Sequence, residues 1–449
     1  MIPRSQVRLA QQRARRTLQE AGIVLTPSEA SHIEAADFGL NELERTGLEL
    51  VTYTPMPTPL YLHFGAGNIG RSLAGALFAR GGYDVLFVDA LPDVVAALQA
   101  KRSYRVVVKD EIPPGAPAEY LIEHVDGIAA QDADAVTAAV ARADVIGTSV
   151  GAGVLPRVLA AMVPGLQRRT RPVSIILCEN LHHAAAVARD MLRQHLPPDF
   201  PLAERVGLVE TSIGKMVPLM PADVRARDPL EVWGEAYNRI IADRDGFLGL
   251  PPQVEGVDLK PHFAAYVDRK LYIHNLGHAV CACEGFLRGH HFIWQAVSDP
   301  AVAAIVVAAM EAAASALARK YPGVLYAADL QAHVADLLRR FGNRALGDTV
   351  FRVGRDLPRK LAPGDRFIGA LRLMQATGGN LATICRGTAA AFHFAAVDEH
   401  GKPFPADEAF RAQVAQQGVR QVLAEHCQLD PKRDAAVMDR IEEDYRLLL

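Results

Sequence analysis

The chain has 449 residues, half of them hydrophobic, and its 48 basic and 51 acidic side chains leave a formal net charge of −3. At ~150 residues per domain, this length predicts about three domains rather than one core. The balanced charge argues against nucleic acid as a partner, because dedicated binders carry a basic excess. The five cysteines, Cys178, Cys281, Cys283, Cys385 and Cys427, match neither a disulfide framework nor a zinc spacing. They read as reduced thiols of a cytoplasmic protein, with Cys281 and Cys283 as small apolar residues of a helix. The N-terminus shows no apolar secretory core. The apolar window 301–318 is interrupted by Glu311 and reads as a buried helix, so no membrane is expected.

Residues 1–58 form an N-terminal extension in which Arg4, Arg8, Arg13, Arg15 and Arg16 precede any acid. They read as the solvated face of a helix. Segment 17–53, with Thr26-Pro27-Ser28-Glu29 and Ala36-Asp37-Phe38-Gly39-Leu40, resembles the N-terminal segment of small cupin-type sugar isomerases of the D-lyxose isomerase kind. The histidine-rich barrel of those enzymes does not follow, so the resemblance implies no activity here.

The next stretch, 60–89, carries the most information. An apolar run at 61–64 enters three glycines spaced G-x-G-x-x-G, namely Gly65, Gly67 and Gly70. A helical pattern over 68–80 and a second apolar run at 85–88 follow, ending in Asp89. This is the pattern of a dinucleotide site. Gly65 permits the tight turn, Gly67 lets the backbone approach a pyrophosphate, and Gly70 lets the helix pack closely. The helix N-terminus at Asn68 and Ile69 offers unpaired N–H groups to phosphate. Asp89 is placed to accept from the adenosine ribose and to repel a 2′-phosphate, which predicts NAD rather than NADP.

Short apolar runs at 60–64, 84–88, 104–108, 144–149, 173–178 and 206–211 alternate with helical segments. This predicts an α/β fold, a Rossmann-type, largely parallel doubly wound sheet over 59–250. Pro251-Pro252 and Pro261 mark a junction. Beyond it, helical stretches at 267–288, 300–320, 327–340, 367–375 and 407–425 predict a mostly helical substrate and catalytic domain, 251–449.

Residues 270–278 read Lys-Leu-Tyr-Ile-His-Asn-Leu-Gly-His. At about 100° per residue, Lys270, His274, His278 and Asn275 fall at roughly 0°, 40°, 80° and 140° on one side of a helix. A buried lysine can serve as a base once its pKa falls to roughly 7–8. Amide and imidazole N–H groups can steady an alkoxide-like oxygen. The alternatives are a surface lysine and satisfied core histidines; for His274 both core and site roles stay open.

The spacing K-x-x-x-x-N-x-x-H resembles the signature of the long-chain polyol-specific dehydrogenases, the mannitol dehydrogenase family. Phe64-Gly65-Ala66-Gly67-Asn68-Ile69-Gly70-Arg71 is similar to that family's nucleotide loop, and Cys178-Glu179-Asn180 to its Cys-Asp/Glu-Asn segment. The resemblance covers about 60–445. It implies Lys270 as the acid–base group, Asn180, Asn275 and His278 as ligands of the reacting oxygen, and NAD as cofactor. It also implies no metal, so the pairs His182-His183 and His290-His291 read as surface or packing residues.

Val353-Gly354-Arg355, Arg359-Lys360-Leu361 and Gly364-Asp365-Arg366 resemble the mannitol-1-phosphate 5-dehydrogenase subgroup, which implies a hexitol phosphate as the small-molecule partner. Arginine grips phosphate bidentately and lysine acts as a point charge, so Arg359 or Lys360 is expected to face it. The family's Val-Asp-Arg-Ile is replaced by Ile213-Gly214-Lys215-Met216, which puts Lys215 in the expected substrate pocket. An unphosphorylated polyol or ketouronate, and a regulatory protein without turnover, stay open as alternatives. So does the choice between monomer and dimer.

Overall fold

The computed structural model describes residues 58–110, 117–218 and 220–448. The basic N-terminal segment lies outside the described residues. Eleven strands form among the described residues: β1 Leu60–Phe64, β2 Asp84–Asp89, β3 Tyr104–Val108, β4 Glu119–Ile122, β5 Val125–Ala129, β6 Val145–Thr148, β7 Val173–Leu177, β8 Val206–Ile213, β9 Val232–Gly234, β10 Ile240–Asp243 and β11 Val257–Lys260. Eight of them make one sheet in the order β11-β10-β8-β7-β6-β1-β2-β5. All neighbours in it run parallel except β10 against β8. The strand order reverses between β1 and β6, the crevice where open α/β sheets bind ligands.

Both faces of this sheet are covered, as its apolar runs require. Alternate residues of β1 serve the two faces. Tyr61 packs with Phe78, Phe87 and Val94. Leu62 and Phe64 pack with Val136, Leu155 and Leu159. The six expected strands all form, but β3 leaves the main sheet and pairs with β4 and β9 in a separate three-stranded one. The main sheet ends at Lys260, beyond the boundary expected at 250.

The second half is helical around Leu276–Leu287, whose residues are buried on nearly every side. It packs against Ile293–Ser298, Pro300–Lys320, Val350–Gly354 and Ala382–His393. Gly277 makes this closeness possible, because a Cβ there would collide with the thioether of Met310. Pro300–Lys320 alone among the described helices is long and apolar enough to cross a membrane. Its Val302, Val306, Met310 and Leu317 lie in the helical core. The five cysteines are free and buried, with Cys281 and Cys283 in the central helix as expected.

A buried polar cluster joins the halves. Glu235 follows β9; Arg340 lies in the helix Ala327–Phe341. The Arg340 guanidinium donates to both Glu235 oxygens, at 2.8 and 2.5 Å, and to the Gly214 carbonyl at 2.5 Å. It also stacks over Tyr237, 4.2 Å from the ring centre.

Candidate active site

The glycine turn leaves the C-terminal end of β1 as expected. Gly65 adopts φ +97°, and a Cβ there would meet the Ser149 carbonyl at 2.9 Å. A Cβ on Gly70 would collide with the Gly65 carbonyl. Gly67 differs: it is exposed, and a Cβ there would meet no protein atom within 4 Å. The open side of the turn is thus at Gly67, beside the helix start at Asn68 and Ile69. Asp89 ends β2 and accepts from the Ala66 N–H at 2.7 Å and the Leu91 N–H at 2.9 Å. A carboxylate has about four lone-pair sites, so acceptor capacity is left for a ribose. These residues fit a dinucleotide. Beneath the turn, His63 bonds to Tyr61 Oη and Ser149 Oγ, both at 2.8 Å, and Ser149 Oγ donates to the Gly65 carbonyl at 3.3 Å.

A cleft opens beyond β7 and β8. Glu179 accepts from Thr148 Oγ1 at 2.7 Å and the Val150 N–H at 3.0 Å, anchoring the residue before Asn180 to the end of β6. Asn180, Lys270 and Asn275 line this cleft together with Glu210, Thr211 and Ser212. Lys270 Nζ donates to Asn180 Oδ1 at 3.2 Å. Burial, with the Arg366 charge nearby, lowers the lysine pKa to about 8. The local backbone differs from the regular wheel. Residues Lys270–Asn275 form a π turn, in which hydrogen bonds run i→i+5. Lys270 and Asn275 are therefore about one turn apart and share a face, rather than splaying.

His278 does not line this part of the cleft. Its ring stacks on Phe341 with centres 4.6 Å apart and planes 8° from parallel. Its Nε2 lies 3.7 Å from Asp348 Oδ2. Burial and the charges of Arg352, Arg366, Lys360 and Arg340 lower its pKa to about 3, so it is neutral. His274 is a core residue, buried beside Phe341 at 5.8 Å and held neutral by burial.

The remaining expected cations are each engaged by protein groups. An ammonium has three donors, and those of Lys215 go to the Glu235 carbonyl, the Tyr237 carbonyl and Asn238 Oδ1 at 2.8, 3.1 and 2.6 Å. Lys215 is a buried structural cation and does not face the cleft. Arg359 does line the outer cleft, but it pairs with Asp356 at 2.5 Å and Asp365 at 3.5 Å. Lys360 is buried and donates to the Arg355 carbonyl. Burial and the charges of Arg366 and Arg359 lower its pKa to about 7. His182 and His183, read as surface residues, line both the inner and the outer cleft; their adjacency to Asn180 was the available signal. His290 instead pairs with Asp299 at 3.1 Å, and His291 stands edge-on to Phe292.

A nucleotide turn at the end of β1 and a lysine–asparagine cleft beyond β7 and β8 together define the plan of a two-domain dinucleotide-dependent dehydrogenase. The models of the mannitol dehydrogenase Rossmann domain and the mannitol dehydrogenase C-terminal domain match residues 60–256 and 262–449. The chain therefore belongs to the mannitol dehydrogenase family. Its fold is similar to that of a D-sorbitol dehydrogenase in substrate-free form, with a TM-score of 0.71 and 16% identity over 87% of this chain and 93% of that one. It is also similar to a Pseudomonas fluorescens mannitol 2-dehydrogenase in ternary complex with NAD and D-mannitol. There the TM-score is 0.67 and the identity 18%, over 87% of this chain and 92% of that one.

Proposed function

We propose that the protein is an NAD-dependent oxidoreductase that interconverts a hexitol phosphate of the mannitol 1-phosphate type and a ketose phosphate of the fructose 6-phosphate type. The observation that carries the chemistry is the Lys270–Asn180 contact inside a cleft that also holds Asn275. NAD, when bound at the Gly65–Gly70 turn, supplies the hydride acceptor at nicotinamide C4. Neutral Lys270 takes the hydroxyl proton as the carbinol hydrogen leaves as hydride, and returns it in reduction. Because Asn180 Oδ1 accepts from Lys270, the Asn180 amide N–H₂ is left to donate to the reacting oxygen. Asn275, one π turn from Lys270, supplies a second amide.

The phosphate reading rests on cations next to His278, of which Lys360 is the best placed. No carboxylate of the described residues lies within ion-pair distance of its ammonium, whereas Arg352, Arg359 and Arg366 each have an acid. Arg352 Nε is buried without a hydrogen-bond partner among the described residues. In this reading the substrate phosphate accepts from the Lys360 ammonium and the Arg352 Nε–H. A second reading, a free polyol, is favoured by the outer cleft, where Glu210, Asp243, Asp245, Asp268 and Asp365 outnumber Arg359.

A panel of ketose phosphate, free ketose and ketouronate with NADH decides. The ketose phosphate is expected to be reduced with the highest kcat/KM. Lys360→Met is expected to raise its KM roughly ten- to a hundredfold, the equivalent of ~1.5–3 kcal/mol, and to leave the free ketose nearly unchanged. A wild type that prefers the free ketose establishes the second reading instead.

A further inference from the structure

We infer that Asp348 is a positioning residue for His278: its carboxylate takes the Nε2 proton, fixes the imidazole tautomer and leaves Nδ1 to meet the substrate. This rests on the reading of His278 as a ligand of the substrate. His278 Nε2 and Asp348 Oδ2 face each other at 3.7 Å. Both atoms are buried, and neither has a hydrogen-bond partner among the described residues. Buried polar groups left unpaired need an explanation, and each is the other's nearest answer. Hydrogen bonds of catalytic groups are often long before substrate binds and tighten on binding.

Each partner is held in place for this. The His278 ring lies flat on Phe341, 4.6 Å between centres, which restricts it to sliding within its own plane. Asp348 pairs through its other oxygen with Arg352, and its carbonyl accepts from the Ile293 N–H at 2.9 Å. The next residue, Thr349, bridges to Phe292. The carboxylate therefore sits on a braced segment that comes from a different element than His278.

The chemistry follows from what each group can donate. An ionised carboxylate only accepts, and a neutral imidazole has one N–H and one lone pair. Four cations, Arg352, Arg366, Lys360 and Arg340, oppose a second proton on the ring. If Asp348 receives Nε2–H, Nδ1 carries the lone pair. His278 then accepts from a substrate hydroxyl and does not donate to the alkoxide. The donors to the reacting oxygen are the amides of Asn180 and Asn275. The tautomer of a histidine is set by the bond its other nitrogen makes, so Asp348 decides the role of His278 without touching substrate.

The test uses full-length protein with labelled histidine, and compares wild type, Asp348→Asn, Asp348→Ala, His278→Ala and the double variant Asp348→Ala/His278→Ala. Nitrogen NMR of the wild type is expected to show His278 protonated at Nε2, and Asp348→Ala to lose that state. The kcat for polyol oxidation is expected to fall roughly ten- to a hundredfold in Asp348→Ala, less than the loss of a whole oxyanion donor, with KM little changed. In the His278→Ala background the same change at Asp348 is expected to cost nothing further. Thermal unfolding reports whether each variant is folded; if Asp348→Ala is not, Asp348→Asn keeps the shape and carries the same readouts. A wild-type His278 protonated at Nδ1, or an equal loss of kcat in the His278→Ala background, overturns the inference. The tautomer is read without substrate, so a wild type that turns over no polyol refutes the proposed function and not this assignment.

Discussion

Lysine is a poor base at neutral pH until its charged form is penalised. In Lys270 the penalty comes from burial first and the Arg366 charge second, and it brings the pKa to about 8. Oxidation needs the neutral amine, so kcat/KM for the polyol is expected to rise about tenfold per pH unit up to roughly 8 and then level. Reduction needs the ammonium and is expected to fall above the same point. Initial rates in both directions from pH 6 to 10 check this; parallel profiles for the two directions contradict it. The types and order of Lys270, Asn180 and Asn275 singled them out in the sequence, and the fold brings all three to one cleft. Lys215 was misread because charge alone does not reveal its acceptors. Those are two backbone carbonyls and an amide from 20 or more residues away, assembled only by the fold. Gly214 beside it has no steric need to be glycine: a Cβ there would lie 3.5 Å from His274 Nδ1, an ordinary contact.

At the scale of elements, two helices are built alike. The segment after the nucleotide turn and the segment carrying Lys270 each contain a π turn, Gly70–Gly75 and Lys270–Asn275. π turns are rare and frequent at functional sites. Nothing in the apolar periodicity marks them, since the shift is in the backbone hydrogen-bond register. The regular wheel already put Lys270 and Asn275 on one side, and the π turn brings them closer together. The glycines were legible, and they separate by function. Gly67→Val is expected to abolish NADH binding in a folded protein, because the new side chain meets only the open side of the turn. Gly70→Ala is expected to lose stability as well, because its Cβ collides with the Gly65 carbonyl. Calorimetry with NADH and thermal unfolding of both variants measure the two effects; unchanged NADH affinity in Gly67→Val places the cofactor elsewhere. The short strands β4, β5, β9, β10 and β11 went unread because runs of three to five residues leave little alternation to detect.

At the scale of the molecule, the residues proposed to react come from both halves. Asn180 follows β7 of the sheet, and Lys270 and Asn275 begin the central helix of the second half. The contacts of Arg340 with Glu235 and the Gly214 carbonyl fix one half against the other at this junction. Both ions of that pair are buried, so it serves register more than stability: the desolvation of two charges offsets most of their attraction. The family and the sheet-then-helix order were legible from the glycine turn and the K-x-x-x-x-N-x-x-H spacing. The acidic outer cleft was not, because Glu210, Asp243, Asp268 and Asp365 are far apart in sequence.

The central claim is that Lys270 moves the proton while the turn at Gly65–Gly70 holds NAD. It is tested most directly by single-turnover hydride transfer in Lys270→Ala, measured beside NADH affinity. The account predicts a loss of order 10²–10⁴ in the transfer step, disappearance of the ionisation near pH 8, and an NADH affinity close to that of the wild type. Wild-type transfer with the same pH profile in Lys270→Ala would contradict it.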